Sequence, residues 1–359
     1  MPFFSICIPN FNYSKYLKLT IESVLSQSFQ DFEIIVSDNA STDDSIQMVK
    51  EFRDPRIKLI ENTTNLGFSP NLDKCTQDAQ GEFMILLSSD DVMLQGALDS
   101  IYQIIKSNQD RNIVVMTACA VIDSNGEKIG SKRAMTGDVY SYISKNKIPP
   151  LFVNSDLYYE YYSSKSVLTA ILTGTFQPAG QFLATCYPST IFRTLDGYRS
   201  ILSAHPDAHF SHRLLFQSPI ICYVHRELFG YRVHDANNLS ATTKMSNIKY
   251  LTDNYLITQL YDKSILDKIN LNTRDLQKTF IHNIVFNTAG WSLLKGKTIK
   301  GIRFLAFGIS AYPALVLSSY KFYLLNLFVF FSPLNLVIYS LLKFYRFSKF
   351  PKPGSNRKS

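Results

Sequence analysis

The first 122 residues predict an α/β fold: a mostly parallel sheet sandwiched by helices. Two observations carry that expectation. Strand-like apolar runs alternate with stretches of helical period, and polar clusters follow the carboxyl ends of the runs. The runs fall at 3–8, 32–37, 57–60, 82–87 and 112–122. The helical patterns fall at about 14–27, 43–53, 69–79 and 94–107. In the first of these, Tyr16, Leu17, Ile21, Val24 and Leu25 recur on one face. Alternation of this kind implies strands joined through helices, hence parallel pairing and helices on both faces.

Ligands of such sheets bind beyond the carboxyl ends of strands. Four polar clusters stand there: Pro9-Asn10-Phe11-Asn12, Asp38 to Asp43, Asn62 to Gly67, and Ser88-Ser89-Asp90-Asp91. The last ends the run Phe83 to Leu87 on two adjacent carboxylates. Unpaired buried charge is costly, so this tetrad reads in one of two ways. It is an acidic turn capping the helix that starts near Leu94, or a seat for a hard divalent cation shared with a phosphate-bearing ligand.

Residues 123–180 are less regular. The aromatic run Leu157 to Tyr162 reads either as an acceptor-lining surface, because tyrosines stack on sugar faces, or as packing against the sheet. Residues 181–240 return to mixed structure. Residues 245–295 read as helices, with the single Trp291 packed among them.

An apolar content of 46% over 359 residues excludes a disordered chain. The five cysteines are scattered without a CxxC pair and read as reduced core residues. The amino terminus lacks a basic n-region, so no secretory signal is expected. The net charge of +8 is unevenly placed: no acidic residue follows Asp275, whereas twelve lysines and arginines do. An acidic body with a basic, aromatic tail argues against nucleic acid and toward an anionic membrane surface. Within the tail, Phe322 to Leu342 is long enough to span a bilayer, but Ser332-Pro333 interrupts it with a helix-start signature. Two helices of about ten residues, flanked by Lys321 and Lys343, are expected to lie in the interface; a span or re-entrant hairpin and a buried soluble core are the alternatives. The chain is expected at the cytoplasmic face of the cell membrane as a peripheral protein.

The stretches SICIPNFNYSKYLKLTIESVLSQSFQDFEIIVSDNASTDDS (Ser5 to Ser45) and NTTNLGFSPNLDKCTQDAQGEFMILLSSDD (Asn62 to Asp91) resemble the family-2 glycosyltransferases. These are inverting sugar transferases with the Rossmann-like GT-A fold, here of the bacterial surface-polysaccharide type. Weaker similarity continues through Gly197-Tyr198, Asp207 and YRVHDANNLS (Tyr231 to Ser240), so that roughly residues 3–240 are covered. The resemblance implies a nucleotide-sugar-binding half at 1–122 and an acceptor-binding, catalytic half at 123–240. A helical region at 241–300 and the membrane-associated tail at 301–359 complete the chain.

The resemblance also assigns roles. Pro9, Asn10, Phe11 and Asn12 would contact base and ribose. Asp38 would accept a hydrogen bond from the base imide, which favours a UDP- or dTDP-sugar. Asn39, Asn65, Gly67 and Ser89 would complete the nucleotide-sugar contacts. Asp90 matches the last acid of the family's DxD motif and would hold Mg²⁺ or Mn²⁺, with Asp91 as a second carboxylate; Ser88 replaces the motif's first acid. Arg232 and His234 would face the diphosphate, and His234 would complete the metal shell; a strand-end histidine satisfied by backbone is its alternative role.

The chemistry needs charge neutralised on the departing nucleoside diphosphate, and a carboxylate to take the acceptor's proton. Asp207 matches that base, with Pro206 in place of the preceding acid; a helix cap is its alternative role. The acceptor expected is a saccharide or lipid-linked saccharide. Two further readings are weaker. His205, His209 and His212 suggest a metal hydrolase, but Pro206 interrupts their helical spacing. The losses at Ser88 and Pro206 suggest a catalytically silent nucleotide-sugar-binding or scaffold protein. A nicotinamide oxidoreductase is excluded, since PNFNYS follows the first strand where a GxGxxG loop would be needed.

Overall fold

The computed structural model describes residues 1–154, 158–180, 184–195, 197–198, 202, 206–234 and 247–330. The chain divides into two compact units, Met1–Ser246 and Asn247–Ser359.

The first unit opens with β1 (Phe4–Asn10), α1 (Ser14–Leu25), β2 (Phe32–Asp38), α2 (Ser45–Glu51), β3 (Ile57–Glu61), α3 (Phe68–Gln77) and β4 (Phe83–Leu86). The short β5 (Val92–Met93), α4 (Ala97–Ser107) and β6 (Ile113–Ile122) follow. Each expected strand and helix of residues 1–122 is present, within a few residues of its expected ends. Every residue of β1 and β4 is buried, as strands covered on both faces must be. The inward face of α1 is Tyr16, Leu17, Thr20, Ile21 and Val24.

The later elements are β7 (Lys128–Lys132), α5 (Gly137–Asn146), β8 (Phe152–Asn154), β9 (Tyr159–Ser163), α6 (Ser164–Thr173), β10 (Thr185–Pro188), α7 (Ser189–Thr194), α8 (Pro206–Phe216) and β11 (Ile220–Arg232). One eleven-stranded sheet runs β3-β2-β1-β4-β10-β6-β11-β9-β8, with β5 on β11 and β7 on β6. The β3-β2-β1-β4 half is parallel. The other half is mixed, because hairpins replace helical crossovers there: β7 returns antiparallel to β6, and β8 to β9. Three of the four tyrosines of the aromatic run pack within the sheet, whereas Tyr158 is exposed. Tyr159, Tyr161 and Tyr162 are buried, and the Phe152 ring lies 5.4 Å from that of Tyr161.

Topology places the site. The chain passes from β1 to β2 on one side and reaches β4 on the other, so a crevice opens beyond the end of β1. Strand β10 is antiparallel to both β4 and β6, and β11 is parallel to β6. The carboxyl end of β11 therefore faces the same edge as those of β1, β2 and β4.

The second unit is helical: α9 (Asn247–Ile257), α10 (Lys263–Lys268), α11 (Thr273–Thr279), a π-helical stretch Phe280–Phe286, α12 (Asn287–Leu294), α13 (Thr298–Ala311), α14 (Pro313–Leu317) and α15 (Tyr320–Phe330). Asn272 and Asp275 form a reciprocal capping box at the start of α11. Trp291 is 50% exposed, contrary to the expectation that it packs inside. Among the described residues no helix is long and apolar enough to cross a membrane. The first short tail helix is α15; Ser332-Pro333 and the second lie outside the described residues.

Candidate active site

A cavity of about 430 Å³ opens at the shared strand edge. Pro9, Asn10, Phe11 and Tyr13 line it after β1, Asn39 after β2, and Asn65, Gly67, Phe68 and Asn71 around the start of α3. Ser88, Ser89, Asp90 and Asp91 close it after β4, and Tyr231 adds a wall from β11. The four polar clusters thus converge on one volume, which is within the range of small-ligand sites.

Side-chain amides shape the wall built after β2 and around the start of α3. Asn39 donates through Nδ2 to Asn65 Oδ1 (2.8 Å) and accepts at Oδ1 from the Leu66 N–H (2.8 Å). The Gly67 N–H donates to Asn65 Oδ1, and Gly67 has φ +86°, a conformation that favours glycine. Asn71, 2% exposed, donates to the Ser37 carbonyl (3.0 Å) and accepts from Ser37 Oγ (2.8 Å) and Asn62 Nδ2 (2.7 Å). These bonds tie the ends of β2 and β3 to α3.

Asp38 lies behind this wall, 1% exposed and outside the lining. Its Oδ2 accepts from Asn10 Nδ2 (2.8 Å) and its Oδ1 from the Ser41 N–H (2.8 Å). In this structure it positions Asn10 and the following turn. Asn10 Oδ1 is a buried acceptor without a partner among the described residues. Asn12 also stays outside the lining; it adopts φ +59° and accepts from the Thr42 N–H.

The tetrad is held from beneath. Thr20 Oγ1 lies 3.0 Å from the Ser89 carbonyl and 2.7 Å from that of Asp91, so its hydroxyl is shared between them. Asp91 is 2% exposed and accepts the Arg232 N–H at 2.7 Å. Burial, and then the charge of Asp90, pushes its carboxyl well above the ordinary carboxylate range; the Arg232 N–H and the Ser88 hydroxyl oppose that rise.

Arg232 is placed differently from expectation. Its guanidinium donates to the carbonyls of Asp90 (2.8 Å), Asp123 (3.2 Å) and Ser124 (3.4 Å), and lies 5.1 Å over the Tyr16 ring. It is 2% exposed, is not part of the lining, and clamps the main chain below the tetrad. His234, beyond the end of β11, lies with Nε2 3.1 Å from Asp90 Oδ2. Tyr16 meets its ring at 4.7 Å, tilted by 34°, and Tyr13 meets it edge-on at 5.8 Å. Burial, then the charges of Asp90 and Asp91, raises the Tyr13 hydroxyl to about 12.

Among the described residues no group of three His, Cys, Asp or Glu side chains is gathered for a metal. The Asp90–His234 pair nevertheless suits one: its 3.1 Å separation is that of neighbouring ligands around an ion with bonds of ~2.1 Å. Mg²⁺ is characteristically held by one or two protein ligands plus substrate phosphates and water. Asp207 stands in the first turn of α8, outside the lining, with Oδ1 accepting the Ala208 N–H. Burial, then the charge of Asp207, raises the Tyr198 hydroxyl, whose ring meets the cavity-lining Phe68 at 6.0 Å. His205 and residues 235–240 of the YRVHDANNLS stretch lie outside the described residues.

Sequence reasoning missed Tyr13, Phe68, Asn71 and Tyr231 as lining residues. Tyr13 and Phe68 directly follow expected contact residues, and Asn71 follows Gly67 by one helical turn, so adjacency was the available signal.

Residues 5–175 match the family described as Glycosyl transferase family 2. The chain is 38% identical over 112 residues to the GalNAc(5)-diNAcBac-PP-undecaprenol beta-1,3-glucosyltransferase of Campylobacter jejuni, covering 30% of this chain and 36% of that one. The chain thus spans about a third of that relative's length. Its fold matches S. aureus TarS 1-349 in complex with UDP-GlcNAc with a TM-score of 0.61 at 18% identity, over 98% of this chain and 93% of that one. It also matches the mannosyltransferase PcManGT from Pyrobaculum calidifontis in complex with GDP-Man and Mn²⁺, with a TM-score of 0.51 at 13% identity, over 95% and 86% of the two chains. The GT-A-like sheet and the match to the family 2 glycosyl transferases coincide over residues 5–175, the segment that supplies every lining residue of the cavity except Tyr231.

Proposed function

We propose that this protein transfers a hexosyl unit, with inversion, from a UDP- or dTDP-sugar to a saccharide or lipid-linked saccharide acceptor in surface-polysaccharide synthesis. The observation that carries the proposal is the cavity itself, in which amide-rich walls from β1, β2 and α3 meet Asp90, whose carboxylate is paired with His234 from outside the lining. Pro9, Asn10 and Phe11 would face the base and ribose, and the Asn39–Asn65–Gly67 network would hold the loop against the nucleotide. Asp90 and His234 would hold Mg²⁺ or Mn²⁺ together with diphosphate oxygens. That ion would supply the positive charge that a departing nucleoside diphosphate requires.

Asp207 would take the proton of the acceptor hydroxyl as that oxygen attacks the anomeric carbon. The donor's C–O bond to the diphosphate breaks as the new glycosidic bond forms on the opposite face, which inverts the centre. Attachment to the cytoplasmic face of a membrane would place the site beside a lipid-linked acceptor. The undecaprenol-linked substrate named for the Campylobacter relative supports that acceptor class.

One observation favours the silent, nucleotide-binding alternative: Asp207 stands outside the cavity lining. A donor panel with Mn²⁺ separates the two. Release of UDP or dTDP from one sugar nucleotide in the presence of a lipid-linked acceptor supports transfer. Tight nucleoside diphosphate binding without turnover of any donor would favour the silent protein.

A further inference from the structure

The helical second unit carries an apolar groove that the chemistry above does not use. Its volume is about 280 Å³, and Gly290, Trp291 and Leu294 of α12 line it together with Tyr320, Lys321 and Leu324 of α15. A Cβ on Gly290 would stand 3.3 Å from Leu325, so the missing side chain is part of what keeps α15 close and the groove open. Its rim is unusually apolar for a surface: Trp291 is 50% exposed, Leu324 49% and Tyr320 74%. Leu327 and Tyr323 on α15, and Ile299 and Ile302 on α13, are also exposed.

The stretch of chain that builds this face carries charge of one sign. From 276 to 330 the chain holds Lys278, Lys295, Lys297, Lys300, Arg303 and Lys321 and not one acidic residue. Exposed aromatic rings, aliphatic side chains and cations together match a bilayer of anionic lipids. Trp and Tyr settle at headgroup depth, Leu and Ile reach the acyl boundary, and Lys and Arg meet lipid phosphates.

We infer that the α12–α15 face docks on an anionic lipid bilayer, with the groove beside Trp291 receiving a lipid hydrocarbon chain. The inference rests on the proposed membrane attachment and deepens it, by moving the contact from the tail composition to a defined surface.

Trp291 is the only tryptophan in the chain and so reports on this face directly. The full-length protein is mixed with vesicles of phosphatidylglycerol and phosphatidylcholine in equal parts, with and without bromines on the acyl chains. The expected result is a blue shift of the emission and quenching by the brominated chains. Trp291→Ala, followed by sedimentation, should weaken partitioning on the order of tenfold. Lys295→Glu with Lys297→Glu should weaken it roughly fivefold per charge and leave binding to neutral vesicles unchanged.

Sedimentation with vesicles while the emission stays unshifted and unquenched would overturn the inference, because residues 331–359 or another surface would then be making the contact. No sedimentation at all would overturn both this inference and the membrane attachment. UDP binding, measured by calorimetry on the same samples, reads the transferase proposal separately and should not respond to either variant.

Discussion

Replacing Asn71 with leucine should loosen the scaffold of the site without touching a charged group. Asn71 makes two close bonds to Ser37, which is fully buried, and one to Asn62, which is half-buried. Leucine is similar in size but can neither accept the Ser37 hydroxyl nor donate to the Ser37 carbonyl. A buried hydroxyl deprived of its acceptor costs about 1–3 kcal/mol, and a carbonyl losing a donor about 1 kcal/mol. The Asn62 amide can turn to water. The Asn10 carbonyl, a long 3.4 Å contact of Asn71, still accepts the Asn39 N–H at 2.9 Å, so neither adds much. The total is roughly 2–4 kcal/mol. With a urea m-value of about 3 kcal/mol/M for a large domain, the unfolding midpoint should fall by about 1 M. Asn71→Asp should fare no better, because a carboxylate oxygen would then face two carbonyls. A midpoint for Asn71→Leu within about 0.2 M of wild type, at unchanged m, would refute the role of Asn71 as the tie between β2, β3 and α3.

Asp207→Asn should abolish transfer while calorimetry finds nucleoside diphosphate affinity nearly intact; a parallel loss of binding would remove Asp207 from the role of base. His234→Ala should weaken Mn²⁺-dependent UDP binding by about tenfold or more and leave metal-free binding unchanged, as should Asp90→Ala. Equal effects with and without metal would show that the pair supports the fold alone. Burial, then the Arg213 charge, lowers His209 to about 4; burial, then His209, lowers His212 to about 3. Between the ordinary imidazole value and those values the unfolded chain binds protons that the folded chain refuses, so stability is full above pH ~6.5 and falls as the pH drops from there toward 4. Urea midpoints across that window should decline toward acid, and His212→Asn should flatten the decline.

What was legible in the sequence and what was not divides along a physical line. The strands of the parallel half, and the four clusters at their ends, follow from local period and from the rule that parallel sheets present their sites at one edge. Nine of the residues expected at the site do line one cavity for that reason. Asp38 and Arg232 do not, although both are charged and both sit at strand ends. Local sequence can show that a charge stands at a strand end, but not which polar atoms the fold brings to meet it. Asn10 comes to Asp38, and three main-chain carbonyls come to Arg232, through contacts between segments distant in sequence. The same limit hid Asn71, whose polarity on a helix face says nothing until Ser37 and Asn62 are beside it. Trp291 shows the complementary failure: apolarity predicted burial, but a chain that has no acidic residue after Asp275 exposes apolar rings beside its cations. Hydrophobic patterning reports burial against water. Where the partner is a lipid surface, the same patterning marks an exposed face, and only the sign of the surrounding charge tells the two apart.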